Sequence, residues 1–342
     1  CLLIGIGMTI VNNDFGRDGS FLNRLRIFLK TYGDFDVSEI IPIKKNVYKV
    51  KGNHQWWIIK CYREHIKNKI WLLSNLLKDE ESYVTFVPFP NEKRWLEDRQ
   101  GQYWCLMPYR DGEGFSFHKE EDRFAAIQLL KQFHEKTNGN KIGHIKHKSY
   151  IEKLENRYYR FIQTKNIFTR HNHYFFFKKM DKQLQQMLRK LRRLPWDNLE
   201  YKALRRRTII HGDCASHNFI RQSDEDIYLI DFDLVQYAPY VYEWIQLGQR
   251  FLFDGVLNVH ELVKIPIFQE LQKDMYFQYG LMFPGDLLRE WLHFLRRAET
   301  REELVTYLRR FEEQWDKRMG NFQPQNQYDI LYHYRKKEGT NH

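Results

Sequence analysis

The most informative part of the chain is TIIHGDCASHNFIRQSDEDIYLIDFD, from Thr208 to Asp233. An apolar run leads into His211-Gly212-Asp213, and Asn218 follows Asp213 by five residues. Asp231 comes thirteen residues after Asn218, at the end of a second apolar run, and Asp233 lies two residues further on. One carboxamide and three carboxylates thus surround two short apolar runs, a pattern far more specific than any of these residues alone.

The middle of this stretch has the pattern of a β-hairpin. Phe219-Ile220 and Ile227–Ile230 are apolar, and they flank the polar residues Ser223–Asp226. Such a hairpin would present the carboxamide of Asn218 on one strand and the carboxylate of Asp231 on the other. The local sequence pattern therefore predicts that the side chains of Asn218 and Asp231 lie close together.

These residue types favour phosphoryl transfer. Hard oxygen ligands such as Asn218, Asp231 and the nearby Asp233 suit Mg²⁺, which binds substrate phosphates while keeping several waters. Asp213 is either a further ligand or is placed to accept a proton from a hydroxyl nucleophile. Each residue alone is ordinary in a turn or at a strand end, so the prediction depends on their combination.

The pattern HGDxxxxN followed by IDFD resembles the aminoglycoside phosphotransferase and choline kinase superfamily, which shares the protein-kinase fold. The resemblance implies that Asp213 is the catalytic base and that Asn218 and Asp231 are catalytic residues holding Mg²⁺. Asp233 falls where many relatives carry a second acidic residue, and it is the third metal-ligand candidate.

The resemblance also implies an ATP site. Lys60, in the strand-like run WWIIKCY, matches the lysine that contacts the α- and β-phosphates. Met107-Pro108-Tyr109 matches the hinge between lobes, so Met107 and Tyr109 are nucleotide-binding candidates. The cofactors implied are ATP and Mg²⁺.

Within the superfamily, HGDCASHNF with IDFDL is most similar to spore-coat-associated kinase-like proteins of the CotS and YutH type. The resemblance implies transfer of the ATP γ-phosphoryl group to a hydroxyl of an unknown small molecule or protein during spore coat formation. It also implies a location in the mother-cell cytoplasm or the spore coat. The alternative is an inactive pseudokinase that serves as a structural protein of the coat.

Two departures from the family pattern favour that alternative. The segment Pro42–Val47 contains no glycine, whereas relatives carry a glycine-rich phosphate loop there. Lys44 and Lys45 are the cations this segment offers instead. A glutamate in the following helix should pair with Lys60, and the sequence offers only Glu80 or no partner.

The order of predicted elements indicates an α+β fold with two lobes. Strands are predicted at Ile40–Lys51, Gln55–Tyr62, Val84–Phe89 and Gln102–Met107, and helices in the first half at 20–33, 64–77 and 122–136. The second half is mostly helical, with long runs at 151–168, 175–194 and 300–319. We therefore expect a small antiparallel N-terminal nucleotide-binding lobe over residues 1–107. A larger helical lobe over residues 108–342 would carry the catalytic loop and the acceptor site.

The net charge of +11 is concentrated in one window. Between Lys141 and Ile210 there are 19 Lys and Arg against 5 Asp and Glu, and the remainder of the chain is slightly acidic. No nucleic-acid-binding motif accompanies this charge, so an anionic acceptor or an acidic coat protein is favoured over nucleic acid as the partner. A solvated basic surface is the simpler explanation of the same residues.

Composition and the chain start exclude other classes. Hydrophobic residues make up 42% of the chain, yet no apolar run reaches the ~20 residues that a membrane helix needs. The four cysteines are scattered, which favours a reduced intracellular protein over a disulfide framework. The apolar first eleven residues lack a basic region and a cleavage site, and Met8 or an upstream codon is the expected start.

Overall fold

A computed structural model of the chain describes residues 19–143 and 149–322. The apolar first eleven residues, with Cys1 and Met8, lie outside the described residues. The chain forms two compact units, and each is described by itself. The first unit is Cys1–Lys146 with Ala215–Gln236, and the second is His147–Cys214 with Tyr237–His342. The lobe boundary expected after residue 107 differs from this division and stays a prediction.

The first unit is built around a five-stranded sheet in the order β1-β2-β3-β5-β4, whose pairs are all antiparallel. Its strands are β1 (Val37–Lys44), β2 (Val47–Gly52), β3 (Gln55–Tyr62), β4 (Leu96–Glu97) and β5 (Tyr103–Pro108). The run predicted as one strand, Ile40–Lys51, is two strands, because Asn46 adopts a left-handed φ of 64° and reverses the chain. Gly52-Asn53 between the two β-rich runs predicts a hairpin turn there, whereas the turn falls one residue later, at Asn53-His54, with φ values of 50° and 62°.

Helix α1 (Gly19–Gly33) covers one face of this sheet. Leu25 and Leu29 of the helix pack with Phe35, Val50 and Trp104 in one buried cluster. Ser20 stands before an apolar helical run, which predicts an N-cap, but it lies inside the helix. The end of the helix at Gly33 agrees with the predicted range. Removing this apolar surface from water stabilises the unit by about 25 cal/mol per Å².

The first unit also contains helices α2 (Glu64–Leu76) and α3 (Glu120–Thr137) and a small sheet. That sheet has the order β6-β8-β9, formed by β6 (Glu113–Gly114), β8 (Phe219–Arg221) and β9 (Ile227–Leu229). Arg221 ties it to α3, because its Nε and Nη2 donate to the buried Asp122 carboxylate at 3.1 and 2.7 Å. The β8–β9 hairpin confirms the one predicted from sequence.

Two further expectations for the first unit were wrong. Val84–Phe89 is not a strand: it makes one bridge, at Val87, and the Phe86 N–H donates to the Ser74 hydroxyl rather than to a ladder. The helical spacing of Phe124, Ile127, Leu130 and Phe133 predicts that all four face inward from α3, but Phe124 is 59% exposed. The other three are buried.

The second unit is mostly helical. Its helices are α4 (Tyr150–Ile162), α5 (Lys165–Arg170), α6 (Tyr174–Leu191), α7 (Trp196–Arg206), α8 (Tyr240–Phe251), α9 (Val259–Leu262), α10 (Pro266–Leu271), α11 (Met275–Met282), α12 (Gly285–Phe294) and α13 (Arg301–Gly320). The short strand β7 (Ile209–Ile210) belongs to this unit, whereas β10 (Gln236–Tyr237) begins at the last residue of the first unit. The helix predicted over 151–168 breaks into α4 and α5 at Thr164, whose hydroxyl bonds back to the Phe161 carbonyl.

Aromatic rings dominate the core of the second unit. Trp291 lies 5.0 Å from Phe168 and 5.3 Å from Phe311 between ring centroids, which joins α12 to α5 and α13. The spacing of Thr300 and Glu303 predicts a capping box at the start of α13, and it is present, because each side chain accepts the other residue's backbone N–H. Among the described residues, no helix is long and apolar enough to cross a membrane.

Candidate functional site

In the first unit, the β8–β9 hairpin brings Asn218 and Asp231 to neighbouring backbone positions. Phe219 pairs with Leu229, so Asn218 and Ile230 come next, and the Ile230 N–H donates to the Asn218 carbonyl at 2.9 Å. Asn218 is buried, and Asp231 follows in a left-handed conformation with φ 61° and ψ 65°. Aspartate tolerates this region better than most residues do, and the turn directs the chain out of the strand.

Lys60 of β3 binds both carboxylates that follow this hairpin. Its Nζ lies 2.9 Å from Asp231 Oδ1 and 2.7 Å from Asp233 Oδ2, and the lysine is 9% exposed. Burial by itself would lower the pKa of Lys60, but the two carboxylates outweigh burial and raise that pKa. The sequence candidates Lys60, Asp231 and Asp233 therefore belong to one cluster of charges.

A second cation approaches Asp231 from the glycine-free turn. Lys44, at the end of β1, places its Nζ 3.5 Å from Asp231 Oδ2. Burial would raise the pKa of Asp231, but Lys60 and Lys44 together hold it well below its usual range. The turn itself consists of Lys45 and Asn46. Positive charge is therefore present where the resemblance predicts a glycine-rich phosphate loop.

The glutamate sought for Lys60 is absent from the described residues. Glu80, the candidate from sequence, forms an ion pair with Lys136 instead. Helix α2 contributes a lysine to this region: Lys69 Nζ donates to the backbone carbonyls of Asp233 at 2.8 Å and Val235 at 2.9 Å. Burial lowers the pKa of Lys69 to about 8, with the Asp233 carboxylate acting in the opposite direction.

Sequence reasoning missed two residues of this cluster, Tyr62 and Lys69. The Tyr62 hydroxyl donates to Asp233 Oδ1 at 2.7 Å. Tyr62 lies two residues after Lys60 on one strand, so strand alternation places both on the same face and could have identified it. Lys69 could not have been found this way, because its partners are backbone carbonyls more than 160 residues away.

The expected hinge residues also lie in the first unit. Met107 packs against a buried cluster of Val84, Ile220 and Tyr228, and so joins β5 to the hairpin. The Tyr109 N–H donates to the Trp56 carbonyl at 3.3 Å, and the Lys49 ammonium lies 3.7 Å from the centroid of the Tyr109 ring. An apolar surface thus extends from Met107 towards Ile230, which contacts the same cluster.

Asp213 belongs to the second unit, where its loop is held by a buried glutamate. Glu243 of α8, 0% exposed, accepts the N–H of Gly212 at 2.7 Å and that of His211 at 3.1 Å. The Asp213 N–H donates to His211 Nδ1 at 3.3 Å, so this buried histidine bonds to the backbone of its own loop. Glu243 had no signal in the sequence, because it follows Asp213 by thirty residues inside an apolar helix.

Cys214, next to Asp213, is a packing residue. It is fully buried, and its Sγ contacts the Glu243 carboxylate at 3.5 Å. Burial raises the pKa of its thiol well above the ordinary value, with the Glu243 charge acting in the same direction. Cys61, Cys105 and Cys214, the cysteines within the described residues, are all free.

The donor atoms beside the hairpin match Mg²⁺ in kind. Asn218 offers a carboxamide oxygen and Asp231 a carboxylate, both hard donors. Within residues 19–143 and 149–322, no group of three or more His, Cys, Asp or Glu side chains could hold a metal by itself. These donors therefore fit an ion that completes its shell with waters and phosphate oxygens rather than an all-protein cage.

Comparison with known proteins identifies the family. The model of the phosphotransferase enzyme family (APH) matches residues 85–255, half of the chain. The chain therefore belongs to the phosphotransferase enzyme family. The matched region contains Asp213, Asn218 and Asp231. The sequence matches no curated protein.

Solved structures show that the fold is kinase-like. An aminoglycoside phosphotransferase from Alicyclobacillus acidocaldarius is 14% identical, with a TM-score of 0.62 over 88% of this chain and 92% of that one. A spectinomycin phosphotransferase in complex with ADP and spectinomycin is 17% identical, with a TM-score of 0.61 over 89% and 98%. An amicoumacin kinase in complex with AMP-PNP and Ca²⁺ is 15% identical, with a TM-score of 0.56 over 89% and 94%. Identities this low establish the shared fold alone.

Proposed function

We propose that the protein is an ATP-dependent phosphotransferase that moves the γ-phosphoryl group to a hydroxyl of an acceptor. The observation that carries this proposal is the ion pair between Lys60 and Asp231, with Asn218 at the neighbouring hairpin position. A cation for nucleotide phosphates and two oxygen donors for Mg²⁺ are the parts that phosphoryl transfer needs on the nucleotide side. Membership of the phosphotransferase family supports the same conclusion.

In this proposal each residue has one role. Lys60 contacts the α- and β-phosphates, and Asn218 and Asp231 hold Mg²⁺. When bound, Mg²⁺ would neutralise charge on the phosphates. Asp213 accepts the acceptor's hydroxyl proton as that oxygen bonds to the γ-phosphorus and the bond to ADP breaks. Met107 and the Tyr109 backbone would contact the adenine of ATP beside the apolar cluster. The proposal also includes a boundary between the two lobes at residue 107.

The acceptor is proposed to be anionic, or to be presented by an acidic partner. Helix α6 carries exposed residues Phe175, Lys178, Lys182 and Arg189 at intervals that place them along one side of the helix. Within the described residues, none of these three cations pairs with a carboxylate. The acid of α6, Asp181, is occupied by the Tyr158 hydroxyl at 2.7 Å.

A spore-coat role is proposed from the resemblance of HGDCASHNF and IDFDL to CotS- and YutH-type proteins. The mother-cell cytoplasm or the coat would then be the location, and coat proteins would be the partners. An inactive pseudokinase with a structural role in the coat is the second candidate. The turn at Lys45-Asn46, which has no glycine, and the missing helix glutamate favour it.

The decisive experiment is nucleotide binding followed by transfer. Mg²⁺-ATP at a hundred times its Kd should stabilise the protein by about 2.7 kcal/mol, which appears as a rise in Tm. The Lys60→Met variant is the matched control and should show a much smaller rise. Transfer of ³²P from ATP to a panel of hydroxyl compounds then separates the candidates. Binding without transfer would indicate a nucleotide-binding scaffold, and no rise in Tm would refute the phosphotransferase and favour the structural pseudokinase.

A further inference from the structure

We propose that Asp233 is a positioning residue that holds Lys60 in place, so that Asp231 can serve the metal. This inference rests on the proposed function and deepens it. Lys60 Nζ lies 2.7 Å from Asp233 Oδ2, which is shorter than its 2.9 Å distance to Asp231 Oδ1. Within the described residues, these are the carboxylates that bind Lys60.

Asp233 is itself fixed by groups from two other elements. Its Oδ1 accepts from the Tyr62 hydroxyl of β3 at 2.7 Å, while its backbone carbonyl accepts from Lys69 of α2 at 2.8 Å. Lys69 also donates to the Val235 carbonyl at 2.9 Å, so the segment after the hairpin is tied at two backbone positions. The carboxylate therefore has a defined place before any nucleotide arrives.

A lysine needs such an anchor more than most side chains. Its flexible four-carbon chain has many rotamers, and an ammonium held by one mobile partner would not keep one position. Asp231 cannot supply all of that anchoring if it also binds Mg²⁺, because its oxygens would turn towards the metal. Asp233, with Oδ2 on Lys60 and Oδ1 on Tyr62, would keep the ammonium in place during that exchange.

The alternative, suggested by the sequence, is that Asp233 is a third metal ligand. An anchor for Lys60 and a metal ligand predict different kinetics. As an anchor, Asp233→Asn should lower kcat/KM for Mg²⁺-ATP by about tenfold or more, because a charge-assisted hydrogen bond is lost. The Mg²⁺ concentration for half-maximal activity should stay unchanged, and in a Lys60→Met background the substitution should cost nothing further. Tyr62→Phe should produce a smaller loss of the same kind.

The outcomes that would overturn the proposal are equally distinct. If Asp233 is a metal ligand, Asp233→Asn should raise the Mg²⁺ concentration for half-maximal activity several-fold. Its effect on kcat/KM should then add to the effect of Lys60→Met. Asp224→Asn is the matched control, since Asp224 is a fully exposed carboxylate of the same hairpin. It should leave all of these quantities unchanged.

Failure of the proposed function can be told apart from failure of this inference. A double-mutant cycle of Lys60→Met and Asp233→Asn on urea unfolding needs no nucleotide. Coupling between the two substitutions is expected even if the protein transfers no phosphoryl group. Additive effects would refute the anchoring role, whereas a coupled pair in a chain that binds no ATP would refute the proposed function alone.

Discussion

The carboxylate of Glu243 lies 2.7 Å from the backbone nitrogen of Gly212, one residue before the proposed catalytic base. The same carboxylate accepts the N–H of His211 at 3.1 Å, so one buried side chain satisfies two loop donors. A buried donor without a partner costs about 1–3 kcal/mol, which gives this contact a clear energetic reason. The loop is thus held by a residue that takes no part in the proposed chemistry.

Replacement of Glu243 should therefore loosen the loop. Glu243→Gln keeps one acceptor oxygen and turns an amide NH₂ towards a backbone N–H. We expect the free energy of unfolding in urea to fall by about 1.5–3 kcal/mol. Glu302→Gln, at an exposed glutamate of α13, is the control and should change it by less than about 0.5 kcal/mol. Equal stability of the two variants would contradict the role assigned to Glu243.

Asp213 and Asp231 should fail in different ways if the proposed roles hold. Asp213→Asn removes the base and should lower kcat by about 10² to 10⁴ while leaving the affinity for Mg²⁺-ATP unchanged. Asp231→Asn removes a metal donor and should weaken the binding of Mg²⁺-ATP itself. Titration calorimetry and single-turnover transfer measure the two effects separately. Turnover of the wild-type level in the Asp213 variant would contradict the mechanism.

The basic side of α6 should control contact with anions. A triple substitution, Lys178→Glu, Lys182→Glu and Arg189→Glu, should weaken binding of poly-glutamate at low salt by about tenfold or more. The control is an equal change of charge on α13, at Arg301, Arg309 and Lys317, which are also exposed. Equal losses of poly-glutamate binding in both variants would mean that the net charge of the protein, and not this side of α6, controls the binding. Stronger binding of duplex DNA than of poly-glutamate would favour a nucleic-acid partner instead.

The thiols of the described residues should react slowly with alkylating agents. Burial raises the pKa of Cys61 to about 12, and the Asp98 carboxylate adds to the effect. Because the thiolate is the nucleophile, Cys61 at pH 8 should react roughly a thousandfold more slowly than a free cysteine. In a Cys1→Ser chain, the rate with iodoacetamide should rise about tenfold per pH unit up to pH 10. A plateau near pH 9 would show an ordinary thiol, and unfolding in urea should remove the protection.

Much of the fold could be predicted because the relevant information is local. The β8–β9 hairpin follows from two apolar runs around Ser223–Asp226, and the capping box at Thr300 follows from spacing alone. Errors arose where tertiary contacts decide between local alternatives. Phe86 donates its N–H to the Ser74 hydroxyl instead of joining a strand, and Phe124 faces solvent although its helix is amphipathic. No periodicity in the sequence distinguishes these outcomes.

The phosphotransferase pattern is visible in the sequence, because Asp213, Asn218 and Asp231 have a spacing set by one loop and one hairpin. Which groups surround these residues depends on the tertiary structure. Lys60 pairs with Asp231 and Asp233, which follow it by 171 and 173 residues, and no local rule relates side chains at such separations. A buried ammonium is stable only with carboxylates nearby, so Asp231 and Asp233 lie beside Lys60. Which side chains are buried depends on the whole fold.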